Sequence, residues 1–358
     1  GSASSLSKLR DKEYDTLQYR IDFAKTLIQD TSLKNIVDYD VTATENFIES
    51  KDGTKYLYKE GYGQHHTRTR LNKKLFNLSE IIPKIGGSLS YIKSGSTGHT
   101  FKGTVIDDNT GKVFNYCLKV AAFTKDKYGK WYDCRRPENA EICMIKLLSY
   151  FLVKKETPHI VLPIATFNTS IKPFVGLIKD GTIKPEDRKA RKYVEFVARY
   201  EKEEFHDHVS VLLGEWANRG DLGDFLRKNY DKLTLLEWKA IFFQIISVLA
   251  VIQSKYPSFR HNDMKANNIL LHRNRPKDNL LYRFYKIDGL QFYVPNINYV
   301  VKLWDFDFAC IPELVENNKV NANWTKDINV DPVINRYYDL HFFFNTLIRE
   351  GFLPQFFK

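Results

Sequence analysis

Cysteine is scarce in this sequence. It occurs four times in 358 residues, at 117, 134, 143 and 310. None forms a C-x-x-C pair and none stands at zinc-ligand spacing, so the pattern speaks against a structural zinc site and against a disulfide-stapled scaffold. A reducing, intracellular compartment is the expectation. Long apolar runs are lacking too. The longest, Ile241 to Ile252, is interrupted by Gln244 and Ser247. It falls short of the roughly 20 residues a helix needs to cross a bilayer, so no transmembrane segment is expected. No signal-peptide pattern and no internal repeat is found.

What is present reads as a soluble globular chain. Apolar residues make up 43% and charged residues 27%, enough for two or three compact units. The net charge is +11. It is scattered through stretches such as Lys184 to Lys192 and His272 to Lys277 rather than gathered on one helix. A basic solvated surface explains it, and contact with nucleic acid or an acidic membrane is the other reading. The adjacent His65 and His66 have no further ligands at suitable spacing, so a metal role there is not expected.

Residues 6–35 carry apolar positions at helical spacing (Leu17, Ile21, Phe23, Ala24, Leu27, Ile28) and predict a helical extension. From Leu89 the pattern turns to strands: "LSYIKSG", "HTFKGTVID" and "KVFNYCLKVAAF", separated by Gly-containing turns. A helix follows around Glu138 to Leu152, then the strand "HIVLPIATF". Residues 168–206 read as a charged insertion of low apolar content. After the strand "HVSVLLGEW" the chain is helical through Lys255 and enters "FRHNDMKANNILLHR", Phe259 to Arg273. A strand-rich half therefore precedes a helix-rich half, with a connector near Glu215 to Gly220 and a cleft expected between them.

Several residues carry chemistry. Gly95 and Gly98 lie in a turn between strands, where glycine allows backbone N–H groups to approach phosphate. Lys119 stands among apolar residues one strand later and needs an anionic partner if it points inward. Glu141 is the candidate, with Glu138 a lesser one. Asp263, Lys265 and Asn268 follow one another at short polar spacing, and "WDFDFA" adds Asp305.

In this order the motifs resemble a eukaryotic-type serine/threonine protein kinase, over roughly residues 85 to 350. The resemblance implies an α+β, bilobal protein-kinase-like fold. A helical extension (1–84) would precede a β-rich N-lobe (85–216) and a shortened helical C-lobe (217–358). It implies ATP and Mg2+ as cofactors. Gly95, Gly98, Lys119 and Glu141 would bind the phosphates, and Glu215 to Ala217 would meet adenine through backbone groups, with Asp221 near the ribose. Asp263 would orient the substrate hydroxyl, Lys265 would steady the γ-phosphate, and Asn268 and Asp305 would hold magnesium. Asp339, in "YYDLHFFF", would anchor the catalytic loop. "DFDF" and "YYDLHFF" are similar to the divergent kinases of large DNA viruses, the poxvirus late kinase type. That implies virion or viral assembly proteins as substrates and a cytoplasmic viral factory or virion as the setting. A long insertion before the metal motif, "YRFYKIDGLQFYV", reads as a hairpin turning at Asp288-Gly289.

The sequence departs from the kinase pattern at informative places. Lys93 stands for the first glycine of the glycine-rich loop. Asp307 replaces the glycine of D-F-G, which predicts a motif resistant to flipping, with the Asp placed where positive φ is tolerated. Asn262 replaces the arginine that usually meets an activation-segment phosphate. Between Asp305 and Asp339 the only hydroxyl residues are Thr325, Tyr337 and Tyr338. Activity without phosphorylation of this segment is predicted. Gly214 removes the side chain that usually backs the adenine pocket. Two alternatives stay open: a choline- or aminoglycoside-type kinase, which shares the H-x-D-x-x-x-x-N loop, and a nucleotide-binding pseudokinase.

Overall fold

The structure is a computed structural model, and it describes residues 2–9, 16–37, 39, 47–49, 55–57, 73–274, 280–349 and 353. His65 and His66 lie outside the described residues. The chain divides into two compact units. The first comprises residues 1–40, 59–142 and 162–216, and the second comprises 41–58, 143–161 and 217–358.

The first unit is built on a five-stranded antiparallel sheet. Its strands are β3 (Ser88–Ser94), β4 (Gly98–Ile106), β5 (Val113–Thr124), β6 (Pro163–Ser170) and β7 (Phe205–Glu215), in spatial order β3-β4-β5-β7-β6. Strand β5 is central, and Leu118, Val120, Ala122 and Phe123 are wholly or almost wholly buried along it. Each such aliphatic or aromatic side chain contributes on the order of 1.5–3 kcal/mol by leaving water. Ahead of the sheet come α1 (Ser2–Ser7), α2 (Leu17–Leu27) and α3 (Leu78–Ile85). Thr16 caps α2 by accepting the Tyr19 N–H at 3.1 Å, and α2 buries Tyr19, Phe23, Ala24 and Leu27. The helical spacing read over residues 6–35 corresponds to α2 (Leu17–Leu27), and residues 1–40 belong to the same compact unit as the sheet, while 41–58 fall in the second unit.

The stretch read as a featureless charged insertion holds a helix, α5 (Ala190–Glu201). Its buried residues sit at i, i+3 and i+6, Ala190, Tyr193 and Phe196, while Arg191 and Lys192 stay in water. Low apolar content hid the helix; spacing on one face makes it.

Helix α4 (Pro137–Val153) begins in the first unit and ends in the second. The second unit contains a short strand pair, β1 (Phe47–Glu49) and β2 (Lys55–Leu57). Beyond it lie α6 (Leu222–Asn229), α7 (Leu235–Lys255), β8 (Ile269–Arg273), β9 (Tyr282–Ile287), β10 (Leu290–Pro295) and β11 (Tyr299–Leu303). The helices α8 (Asn323–Lys326) and α9 (Tyr338–Ile348) follow. Helix α7 starts on a capping box: Thr234 accepts the Glu237 N–H and the Glu237 carboxylate accepts the Thr234 N–H. This 21-residue helix is long enough, and over an 18-residue window apolar enough (mean hydropathy 1.9), to cross a membrane by length and composition alone, a test that core helices also pass. It is a core helix nonetheless. Its polar Gln244 is spent inside the unit, donating to Tyr299 O and accepting from Val301 N, both at 2.9 Å. The β9/β10 hairpin turns where expected, with Asp288 at φ +48 and Gly289 at φ +78, the left-handed pair that a two-residue hairpin loop requires. Its Tyr285 and Val294 pack on Ala240 of α7.

Candidate active site

In the first unit, Lys119 pairs across the sheet with Thr100 of β4 and Leu212 of β7. Its ammonium donates to Glu141 Oε1 of α4 at 2.6 Å. The lysine is 22% and the glutamate 7% exposed, so one end of the pair faces solvent while its acid is held. Glu138, the lesser candidate, is occupied elsewhere, at 3.2 Å from the buried guanidinium of Arg136. Cys117 flanks Lys119 on β5, and burial pushes its thiol up to about 12. It stays protonated and acts as apolar packing.

The glycine turn joins β3 to β4. Gly95 N–H donates to Gly98 O at 2.8 Å. A Cβ on Gly98 would lie 1.8 Å from Val120 O, whereas one on Gly95 meets nothing within 4 Å. Gly98 is therefore required by the approach of two strands, and Gly95 leaves the turn open. The insertion holds this turn from one side. Arg199 of α5 donates to Ser96 O at 3.1 Å, and His99 sits buried with its ring 4.4 Å from Phe196 and 5.3 Å from Tyr193. Burial drives the His99 imidazole down to about 4, so it is neutral and serves as an aromatic strut, with Nδ1 2.8 Å from Ser94 Oγ.

Glu215 ends β7, and its carboxylate is 9% exposed and paired with Arg20. Ala217 is buried at the start of the long final stretch of the second unit. Asp221 caps α6, accepting the Asp224 N–H at 2.8 Å. Gly214 lies in β7 between Cys117 of β5 and Pro163 of β6.

In the second unit one ladder assembles the loop that carries Asp263 and Asn268. Strand β8 pairs with β11 so that Ile269 faces Leu303. The residues just beyond that pair, Asn268 on one strand and Trp304-Asp305 on the other, therefore meet at one end of the ladder. Asn268 Nδ2 donates to Asp263 O at 2.9 Å and to Asp263 Oδ2 at 2.8 Å, which turns its Oδ1 away from that carboxylate. Burial is the largest influence on Asp263 and raises its pKa. The Lys265 charge opposes this, and the Asp305 carboxylate reinforces it. The Asp305 carboxylate and the Asn268 carboxamide oxygen form a hard-oxygen donor set. That set fits magnesium, which keeps its remaining positions for water and phosphate. No group of three His, Cys, Asp or Glu suited to a metal occurs among the described residues.

The loop is held from behind. Asp339 of α9 is buried, and its two oxygens accept the His261 and Asn262 N–H groups at 2.8 and 2.9 Å. Burial raises the pKa of this carboxyl, and the two backbone donors favour its charged form. His261 Nε2 lies 2.7 Å from Trp304 O and Nδ1 accepts the Asp263 N–H at 3.3 Å. That network assigns the Nε2–H tautomer, with Nε2 donating.

The segment after Asp305 shows partners that motif reading missed, Lys319, Asn317 and Arg260. Asn262, at φ +67, donates to Phe308 O at 3.0 Å. Asp307 does not have a positive φ; Asp305 does, at +59, which corrects the expected placement of backbone strain. The Asp307 carboxylate is paired with Lys319, whose ammonium also lies 4.1 Å from the centre of the Phe308 ring. Asn317 Nδ2 donates to Asp307 O at 2.8 Å. Arg260 is 2% exposed. It donates to Asp331 Oδ1 at 2.6 Å, to Val333 O at 3.0 Å and to Asn329 O at 3.1 Å, and it stacks 4.0 Å from the Tyr338 ring centre. An arginine directly preceding the His-Asn-Asp triplet was the one sequence signal available for it.

Comparison with known proteins fits this geometry. The sequence model of the family described as poxvirus serine/threonine protein kinase matches residues 112–354. A protein of Acanthamoeba polyphaga mimivirus named as a serine/threonine-protein kinase is 44% identical over 342 residues, which is 95% of this chain and 68% of that protein. A second mimivirus protein so named is 30% identical over 128 residues, 33% of this chain and 32% of its own length. One from Dictyostelium discoideum is 29% identical over 140 residues, 38% of this chain and 11% of that protein.

Proposed function

The chain belongs to the poxvirus serine/threonine protein kinase family, and on that premise we propose ATP- and magnesium-dependent transfer of the γ-phosphate to Ser/Thr hydroxyls of protein substrates, without prior phosphorylation of residues 305–339. The enzyme is a serine/threonine protein kinase; the cofactors, the residue roles and the mode of control are the proposal. The observation that carries it is the Asp263 constellation. A buried carboxylate has its pKa raised, a lysine beside it, and an asparagine bonded to it.

Asp263 would orient the substrate hydroxyl and receive its proton. A raised pKa brings it nearer the operating pH, where a general base is most effective. Lys265 would steady the γ-phosphate, and Lys119, fixed by Glu141, would neutralise the nucleotide phosphates. Backbone N–H groups of the Gly95–Gly98 turn would add donors, with Glu215 and Ala217 offering backbone groups to adenine and Asp221 lying toward the ribose. Asn268 and Asp305 would hold magnesium, which when bound neutralises charge on the transferring phosphoryl group. The viral relatives suggest viral assembly proteins as substrates.

Independence from segment phosphorylation rests on the placement of Thr325 and Tyr338 and on Asn262, while Tyr337 is exposed. Thr325 is fully buried, with its hydroxyl donating to Ala322 O at 2.7 Å. Tyr338 lies under the Arg260 guanidinium. Asn262 is bonded to the segment directly, where a phosphate-dependent arginine would otherwise act. Phosphoamino-acid analysis of proteins labelled from ATP tests the proposal. Phosphoserine or phosphothreonine from wild type, lost in Asp305→Ala, supports it. Equal, poor labelling by wild type and Asp263→Asn would favour a nucleotide-binding scaffold instead. Phosphatase-treated enzyme and Thr325→Val should keep their activity, and its loss in either would sink the unphosphorylated mode.

A further inference from the structure

Glu215 is the penultimate residue of the first unit's last segment, at the place where the chain leaves the sheet. Its side chain is nine-tenths buried, yet it is a carboxylate, and a buried charge requires compensation. Three donors supply it. Arg20 Nε donates at 2.9 Å, Arg20 Nη2 donates to the other oxygen, and Leu162 N–H donates at 2.8 Å. The Glu215 N–H in turn donates to Leu162 O at 3.0 Å. Side chain and backbone of Glu215 are thus fixed together.

Arg20 comes from α2, 195 residues earlier in the chain. Helix α2 and its continuation are tied to the same strand ends at several points. Phe23 lies 6.4 Å from Phe114 of β5. Asn35 Nδ2 donates to Ala24 O at 3.1 Å and to Ile164 O at 3.3 Å. Ile36 N–H donates to Ile164 O at 2.9 Å. The Tyr39 hydroxyl donates to Pro163 O at 3.2 Å, and burial, reinforced by the Glu215 charge, raises the pKa of that phenol. The hydrogen bonds from Arg20, Asn35, Ile36 and Tyr39 to the sheet fall on residues 163, 164 and 215.

We propose that residues 16–37, with Tyr39, are a built-in brace for the adenine-contacting end of β7, and that Arg20 is the positioning residue that acts through Glu215. This rests on the reading of Glu215 to Ala217 as the adenine contact. Arg20 touches no reacting atom. By holding the buried carboxylate bidentately it fixes where the Glu215 backbone presents its groups. Without it, the carboxylate loses both guanidinium donors, and the strand end shifts or admits water. Such a shift weakens nucleotide binding and base discrimination and leaves the chemical step unchanged.

The test uses the full chain with Arg20→Gln, Arg20→Lys and the double variant Arg20→Gln/Glu215→Gln. The measurements are KM and kcat for ATP and GTP, nucleotide binding by calorimetry, and thermal melting. Arg20→Gln is expected to raise KM for ATP roughly tenfold, as small misplacements of binding groups do, with kcat within twofold and a smaller ATP-over-GTP preference. Arg20→Lys, which keeps the charge and loses the fork, should fall between. The double variant replaces the buried ion pair with a neutral amide pair and should recover most of the affinity. A folded Arg20→Gln with wild-type KM and wild-type base preference would overturn the brace, even if its melting temperature dropped. If Arg20→Gln does not fold, unchanged KM in Arg20→Lys overturns it equally. Absence of adenine-nucleotide binding by wild type would instead defeat the underlying adenine reading, and the brace with it.

Discussion

Replacing Arg260 with methionine should slow the kinase by undocking the end of the segment that follows Asp305. The guanidinium is 3% exposed and makes three hydrogen bonds, to Asp331, Val333 O and Asn329 O. Methionine keeps much of the volume and carries no charge, so no unpaired ion is left in the core. The loss is then the bonds themselves. Two charged-donor bonds to carbonyls contribute about 1–1.5 kcal/mol each. The bond to Asp331, which is 35% exposed, adds about 0.5 kcal/mol, because solvent screens it. The total is about 3 kcal/mol, which is on the order of 100-fold in the docked-to-undocked ratio. Since part of that ratio is reserve, kcat for a protein substrate should fall at least about tenfold. KM for ATP should stay within about twofold, since none of these bonds reaches the nucleotide residues. Limited proteolysis within residues 318–337 should accelerate in parallel. Asp331→Asn, the milder change, should cost roughly two- to fivefold in kcat. An Arg260→Met enzyme that folds, keeps its kcat and resists protease like wild type would refute the reasoning.

Further outcomes follow from the same geometry. Burial raises the Asp263 pKa above its free value, so the basic form is present above that raised pKa and is lost as pH falls through it. Lys265 pulls this value down. Lys265→Met should therefore move the acid limb of the kcat profile to higher pH, besides lowering the plateau, and an unmoved limb would contradict the assignment. Gly98→Ala forces a Cβ against Val120 O and should destabilise the protein by about 1–3 kcal/mol, whereas Gly95→Ala should stay within about 0.5 kcal/mol; equal melting points would show that the turn is not built as described. Lys319→Ala removes the Asp307 partner. It should lower kcat several-fold with the stability of the whole protein nearly unchanged, and a change in melting temperature without a change in kcat would reverse that conclusion.

Local signals made much of this architecture legible. The Asp288-Gly289 turn has one favourable conformation and produced the hairpin it predicts. The Lys119–Glu141 pair followed from a strand and a helix read in order, and the rival Glu138 is removed by Arg136 two residues before it. What stayed hidden depends on partners distant in sequence. Nothing in "TLQYRIDFAK" announces that Arg20 meets a carboxylate 195 residues away. Helix α5 was obscured because average composition was weighed over the periodicity of three residues. Helix α7 was judged on Ile241 to Ile252 alone, although Gln244 and Ser247 within it are accommodated in the core by bonds within the unit.

Asn262 and Asp307, read from sequence as two separate departures, act on the same few residues. Asn262 sits at positive φ, which asparagine tolerates better than most side chains, and from there its amide reaches Phe308 O. Asp307 adopts no such backbone strain and extends its carboxylate to Lys319, which lies over the same Phe308. Asn317 closes the group by donating to Asp307 O and, at 3.3 Å, to Ala309 O. Residues 307–309 are therefore fixed by an amide above, an ion pair at the side and an amide below, and every one of these partners is encoded in the chain. A glycine at 307 would remove the ion pair and leave Lys319 without that acid, while an arginine at 262 would lose the short amide that matches the backbone. The two substitutions make sense together: under the proposed phosphorylation-independent mode, each would supply an ordering contact that a phosphate would otherwise bring.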